Sequence, residues 1–145
     1  MPKLSGEVTT SHTPGAGQTE ALDAYRAMWR DLTRASLTSD ADSPLLAVHA
    51  NGGALELMKH GLRKSKQEGV VSKGTPRVDP HVVSASGQEV VLVDCVDDSN
   101  WLLYKRNGEL KNNVPGGHLK TDATVRRAGG VWKVSNFYMH ATGSC

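Results

Sequence analysis

Three aspartates, Asp94, Asp97 and Asp98, stand close together in the run VDCVDDSNW that begins at residue 93. A carboxylate at the mouth of an apolar cavity loses hydration, which raises its pKa and suits it to act as a general base. The run is also typical of a strand that ends in a polar turn, because Asp, Ser and Asn side chains bond to nearby backbone amides. We expect the turn. A calcium site is excluded, since the segment supplies too few oxygen ligands at fixed spacing.

Six histidines are scattered along the chain, at positions 12, 49, 60, 81, 118 and 140. No HxxxH or HExxH spacing occurs, so the sequence predicts no metal site, and nothing in it indicates a cofactor. His81, His118 and His140 fall in predicted strands, where one of them could face an interior cavity with Asp97 or Asp122 as its orienting partner. The alternative is that they are surface or packing residues. We assign no catalytic residue and carry Asp97, His118 and His140 as candidates only.

Other chemistries have no motif in this sequence. There is no Gly-x-Ser-x-Gly elbow, and the glycine pairs at 52–53, 116–117 and 129–130 lack the spacing that cradles phosphates. Lys59, Arg63 and Lys66 share a helical stripe that could meet a phosphate surface or an acidic partner, but we expect an ordinary solvated helix face. Seventeen basic and fifteen acidic residues leave a net charge of +2. That charge is too small for a dedicated duplex-DNA binder, and aromatic residues for stacking on single strands are few, so we expect no nucleic-acid partner.

The helices that position these residues are predicted from the spacing of apolar residues along the chain. Apolar residues recur at helical spacing from residue 19 to 37, and Thr19 suits the N-cap. A short second helix is predicted over residues 44–50, since Pro44 suits its first position. A third is predicted over about residues 54–68, with Gly69 as its C-cap.

After Gly69 the period changes from 3.6 to 2, which indicates strands. They are predicted at residues 70–72, 77–85, 88–96, 101–106, 118–128 and 131–140, with a loop at 111–117. Asn107 and Gly108 favour a type I′ hairpin turn. The order predicts an α+β fold, in which three N-terminal helices pack on one face of a curved, mostly antiparallel sheet of four to six strands.

The chain has 145 residues, of which 38% are hydrophobic, enough for one globular domain with a core. Residues 1–18 are rich in Gly, Ser, Thr and Pro, so we predict a flexible leader there and a single domain over residues 19–145. No apolar run is long enough to cross a membrane, and the start lacks the apolar region of a signal peptide.

The two cysteines bear on the compartment. Cys95 lies in an apolar run and Cys145 is the last residue. If paired, they close a loop of about fifty residues, which the chain-entropy model values at roughly 4 kcal/mol. Pairing implies an oxidising compartment, whereas two free thiols would be compatible with the cytoplasm. We expect the pair, and the alternative stays open.

Several local features carry a family resemblance. They are Tyr25, Met28 and Trp29 in the first helix, GVV at residues 69–71, the aspartate–cysteine run followed by Trp101, GVWKV at residues 130–134, and Cys145. With the order of elements, residues 19–145 resemble the nuclear-transport-factor-two-like domain, a cystatin-like cone, and within it the actinobacterial secreted proteins and lipoproteins. The resemblance implies an extracellular or cell-surface location. Others with this fold are polyketide cyclases, ketosteroid-isomerase-like enzymes or assembly domains of type IV secretion systems.

The aromatic residues suggest a ligand pocket inside such a cone. By period two, Trp132, Val134, Asn136 and Tyr138 share one face of their strand. If that face meets the helices, these side chains line an interior pocket. The predicted lining residues are Tyr25, Trp29, Trp101, Trp132, Asn136 and Tyr138. The alternative is that they simply fill the core.

These features predict a non-enzymatic binding domain, exported or at the cell surface, for a protein partner or a small apolar ligand. One alternative is a cofactor-free isomerase, dehydratase or cyclase of the polyketide-cyclase type. Another is an accessory assembly domain of an envelope or type IV secretion complex, which could form a homodimer through the open face of the sheet.

Overall fold

Helix α1 spans Ala16–Ser36 and is amphipathic, because its apolar residues recur every three or four positions. Tyr25, Met28 and Leu32 lie on its buried side. The helix begins before the predicted Thr19, since the Thr19 N–H already donates to the Gly15 carbonyl at 2.9 Å. Residues 16–18 of the predicted leader are therefore helical. Its residues 1–14 lie outside those that this computed structural model describes, which are 15–111 and 116–145.

The predicted second helix is wrong, because only a four-residue 3₁₀ turn, Pro44–Ala47, forms there. The Ser43 hydroxyl accepts a hydrogen bond from the Leu45 N–H at 3.3 Å and so caps this turn. The chain cannot continue as a helix, because Ala50 forms a parallel bridge with Val134 in the last strand. Helix α2 then spans Gly52–Glu68 and ends at Gly69, whose φ of 72° is the left-handed C-cap expected of glycine. The described chain thus has two α-helices where three were predicted.

Six strands follow, and all of their pairings are antiparallel. Their bounds are β1 Val70–Gly74, β2 His81–Ala85, β3 Glu89–Asp97, β4 Trp101–Lys105, β5 His118–Ala128 and β6 Val131–Met139. They form two sheets, one of β1 and β4 and one in the order β2-β3-β5-β6. The single predicted sheet divides because a turn at Asp97–Ser99 ends β3, and β4 leaves β3 to pair with β1.

The core lies between the two helices and one face of the four-stranded sheet. Burial alternates along β3, so that Val90, Leu92, Asp94 and Val96 face the helices while the residues between them face outward. Aromatic side chains from α1 and β6 complete the core. We call the other side of this sheet the outer face.

Cys95 lies on the outer face and forms a disulfide with Cys145, as the sequence predicted, with 6.0 Å between the Cα atoms. The segment that follows β6 is held along β5, because the His140 and Gly143 N–H groups donate to carbonyls of Lys120 and His118 at 2.8 Å. Within residues 15–111 and 116–145, no helix has the length and hydropathy needed to span a membrane. Residues 112–115 of the predicted loop lie outside the described part of the chain.

Candidate functional site

Three of the six residues predicted to line a pocket instead fill the core. Tyr25, Trp29 and Trp132 retain 0%, 3% and 7% of their surface. The Trp29 ring makes edge-to-face contacts with Trp101 and Phe137, each with 6.0 Å between ring centres. Such contacts are favourable beyond the area they bury. These aromatic side chains therefore pack within the core and do not line an open pocket.

Two further predicted pocket residues, Asn136 and Tyr138, lie on the outer face, and the reason is a β-bulge. Thr124 pairs with Asn136, but the next residue of β5, Val125, pairs with Val134. The extra residue, Ser135, inverts the alternation along β6. Residues before the bulge keep the predicted faces, whereas beyond it Tyr138 is 63% exposed.

Trp101, the sixth predicted residue, borders the cavity that remains. This cavity has a volume of about 240 Å³ and lies between α1, α2 and the ends of the sheets. Its apolar lining includes Leu32, Met58, Leu62 and Phe137. Leu57 and Met139 also border it and are exposed large hydrophobic residues, so the apolar surface continues to the solvent. We call this space the helix cavity.

The polar groups of the helix cavity are few. They are the hydroxyls of Ser36, Ser65 and Ser72 and the exposed imidazole of His60. The indole N–H of Trp101 is buried and has no hydrogen-bond partner among the described residues. A buried donor without a partner costs about 1–3 kcal/mol of stability.

Most of the residues that line the helix cavity could not be predicted from the sequence. The stripe of Met58, Leu62 and Ser65 on α2 is visible as helical spacing, but such a stripe predicts a core as readily as a pocket. Phe137 and Met139 fall on the wrong face of β6 unless the bulge is known. No local signal reveals the bulge.

The buried carboxylate of the aspartate run is Asp94, which lies in β3 and not in a turn. It is 3% exposed, and both of its oxygens accept hydrogen bonds. The Tyr25 hydroxyl donates to Oδ2 and the Asp79 backbone N–H donates to Oδ1, each at 2.8 Å. Burial, and then the charge of Asp94, raise the pKa of Tyr25 far above its ordinary value. Asp94 therefore holds a structural position, because each of its oxygens already accepts a hydrogen bond within the protein.

Asp97 is the last residue of β3 and begins the predicted turn. Its Oδ1 accepts hydrogen bonds from the Ser99 hydroxyl at 2.6 Å and the Ser99 N–H at 3.0 Å. These bonds, the hydroxyl's first, lower the pKa of Asp97, and nearby His118 and Arg77 lower it further. A lowered pKa makes a carboxylate a poorer general base.

The two histidine candidates also lie on the outer face, away from the helix cavity. His118 Nε2 is 3.7 Å from Asp97 Oδ2, and His140 Nε2 is 2.6 Å from Asp122 Oδ2. The aspartate partners are those the sequence suggested, and neither histidine faces the interior as the catalytic hypothesis requires. Asp97 and His118 border a concave surface of about 600 Å³ beside the disulfide, open to solvent. In the described residues, no three His, Cys, Asp or Glu side chains are placed to hold a metal ion.

Comparison with known proteins shows the fold. No family model matches this sequence, and no curated protein matches it. The intermembrane-space region of chloroplast protein ARC6 superimposes with a TM-score of 0.65 at 16% identity, over 90% of this chain and all of that one. Aln2 from a Streptomyces species gives 0.58 at 14% identity, over 88% and 93% of the two chains. A protein of unknown function with a cystatin-like fold, from Nostoc punctiforme, gives 0.50 at 12%, over 90% and 95%. At these identities the likeness establishes a cystatin-like, nuclear-transport-factor-two-like fold and nothing further.

Proposed function

We propose that this chain is a non-enzymatic binding domain, exported or held at the cell surface, whose helix cavity binds a small apolar ligand carrying one hydrogen-bond acceptor. The observation that carries the proposal is an apolar cavity bordered by Trp101, whose buried indole N–H has no partner among the described residues. Ligand sites typically combine such an apolar lining with a few fixed polar groups.

The volume sets the size of the ligand. An engineered protein cavity of about 150 Å³ binds benzene, so one of about 240 Å³ would admit a bicyclic molecule of roughly ten non-hydrogen atoms. A larger ligand would have to extend past Leu57 and Met139 into solvent. We therefore expect a compact ligand of the size of two fused six-membered rings.

The lining favours binding over catalysis. Its polar side chains are three serines and His60, and neither Asp nor Glu borders the cavity. Asp94, the buried carboxylate, already accepts two hydrogen bonds. The His118–Asp97 and His140–Asp122 pairs lie across the sheet from the cavity. A cofactor-free isomerase or cyclase would need an oriented acid or base beside its substrate, and the one that this lining offers, His60, is solvent-exposed.

The location rests on the disulfide between Cys95 and Cys145. Disulfides persist in oxidising compartments and are rare in the cytosol. This supports export or cell-surface attachment, as the family resemblance implies.

The experiment uses quinoline and naphthalene, two neutral bicyclic probes of equal size, of which only quinoline carries an acceptor. We expect both to raise the melting temperature, because a ligand that binds only the folded state stabilises it. Titration calorimetry should show quinoline binding about five- to tenfold more tightly, and Trp101→Phe should abolish that preference, since one hydrogen bond is worth about 1 kcal/mol.

Two variants at Gly61 supply a matched control. Gly61 borders the cavity on α2, and a Cβ added there would meet nothing within 4 Å. Gly61→Leu should fill the cavity and remove binding of both probes, whereas Gly61→Ala should bind them as the original chain does. Equal binding by the Leu and Ala variants would refute the proposed site.

A further inference from the structure

A second concave surface lies on a different side of α1, between this helix and residues 75–78, which connect β1 to β2. It has a volume of about 470 Å³. Arg26, Arg30 and Arg34 border it from the helix. Because they are four residues apart, the three guanidinium groups follow one stripe of the helix surface. We call this surface the arginine groove.

The opposite wall of the arginine groove is held by the sheet. The Thr75 N–H donates to the Asn100 carbonyl at 3.2 Å, and the Arg77 N–H donates to the Asp97 carbonyl at 2.8 Å. These bonds anchor both ends of the segment, so the groove is formed in the protein before any ligand arrives.

The groove also has an apolar surface. Trp29, Leu37, Pro76 and Val78 all border it. Trp29 is 3% exposed, so only a small part of its ring reaches the groove. The groove thus combines three cationic side chains with an aromatic ring and aliphatic carbon.

None of the ion pairs formed within residues 15–111 and 116–145 involves these three arginines. Other arginines of the described chain do form ion pairs: Arg77 pairs with Asp97, and Arg126 pairs with Glu89. Like charges four residues apart on a helix repel and lower its stability. Arg34 stands in the last turn, where a cation complements the helix dipole, but that explanation does not extend to Arg26 and Arg30.

We propose that the arginine groove binds a small organic anion with a planar apolar body, either an aryl carboxylate or an aryl phosphate. Guanidinium groups hold carboxylate and phosphate oxygens through paired, charge-assisted hydrogen bonds. Trp29, Pro76 and Val78 would contact the ring of the ligand. This site is separate from the helix cavity, and its ligand differs from the neutral one proposed there.

The first test uses 2-naphthoate, 2-naphthyl phosphate and the neutral 2-naphthalenemethanol in titration calorimetry. They are titrated into the Gly61→Leu variant, in which the helix cavity is filled. We expect both anions to bind at least tenfold more tightly than the alcohol and to weaken as salt is raised, because salt screens exposed charges. The stronger of the two anions identifies the head group. Equal binding of the alcohol, or loss of anion binding in Gly61→Leu relative to Gly61→Ala, would overturn the proposal.

The second test compares two triple variants that remove the same charge. Arg26→Gln, Arg30→Gln and Arg34→Gln together should weaken 2-naphthoate at least tenfold. Lys59→Gln, Arg63→Gln and Lys66→Gln together, on α2, should change it less than twofold. Equal effects would show that net charge alone attracts the anion and would refute the site. Both triple variants should still bind quinoline in the helix cavity. Failure of the helix-cavity proposal can therefore be distinguished from failure of the arginine-groove proposal.

Discussion

Tyr25 and Asp94 are 69 positions apart in the sequence and join α1 to β3 through a buried side-chain hydrogen bond. The carboxylate is paired at both oxygens, which offsets much of the cost of burying its charge. Removing one partner of such a group costs more than the bond itself contributes, because the other partner stays buried. The pair therefore holds α1 against the sheet through a polar contact within the core.

Tyr25→Phe should lower the free energy of unfolding at pH 7 by about 1–3 kcal/mol, since Asp94 loses a donor. It should also remove a pH dependence. The folded-state pKa of Tyr25 is raised by burial and by Asp94, whereas an unfolded-chain tyrosine has a pKa of about 10. Its stabilising effect is complete below about pH 10 and declines at higher pH, because only the unfolded chain then gives up the proton.

Urea unfolding of the original chain and of Tyr25→Phe at pH 7, 9 and 10.5 measures both effects. Tyr138→Phe is the control, because Tyr138 is exposed and its substitution should change stability by less than about 0.5 kcal/mol. A steeper alkaline decline in Tyr25→Phe than in the original chain would contradict the assignment.

At the scale of one element, the bulge at Ser135 decides what β6 contributes to the core. Before it, Trp132 and Val134 are buried; after it, the buried residue is Phe137. The bulge sits next to the point where Ala50 and Asn51 run parallel to the strand, and the Asn51 N–H donates to the Val134 carbonyl at 2.9 Å. It thus exchanges the faces to which the side chains in the second half of β6 point, next to the place where the chain enters α2.

Phe137→Ala should cost about 3–5 kcal/mol, the usual range for deleting a buried aromatic ring, and Tyr138→Ala should cost less than about 1 kcal/mol. Without the bulge the order would be reversed, since period two places Tyr138 inside. Chemical denaturation of the two variants side by side measures the difference. A larger loss of stability in Tyr138→Ala than in Phe137→Ala would indicate that β6 alternates without a bulge, which would contradict the observed register.

How far the sequence predicts this protein depends on whether a feature is local. β5 is predicted to the residue, because glycine pairs at 116–117 and 129–130 mark both of its ends. Ser135 carries no local mark, so the placements of Asn136 and Tyr138 could not be foreseen. The spacing of Arg26, Arg30 and Arg34 is visible in the sequence. The opposite wall of the groove depends on hydrogen bonds between residues twenty or more positions apart.

At the scale of the whole molecule, the disulfide joins the middle strand β3 to the segment that follows β6. The loop it closes contains β4, β5 and β6, with a sequence separation of 50. A cross-link of this span acts chiefly on the unfolded chain, whose freedom it restricts. It therefore stabilises the entire domain and not one local contact.

Reduction, or the double substitution of Cys95→Ser and Cys145→Ser, should lower the free energy of unfolding by about 2–4 kcal/mol, near the roughly 4 kcal/mol of the chain-entropy model. Urea titrations with and without reductant measure the loss, and the serine variant should not respond to reductant. Full stability after reduction would show that closing this loop does not stabilise the domain. It would also remove the support for an oxidising compartment.

The edge-to-face contact of Trp29 and Trp101 has an optical consequence. With 6.0 Å between ring centres, excitation absorbed by one indole migrates to the other before it is emitted, so the pair behaves as one chromophore. Trp29 borders the arginine groove and Trp101 borders the helix cavity. A quencher bound in either proposed site would therefore reduce the shared emission of this pair, to which the third tryptophan, Trp132, adds its own.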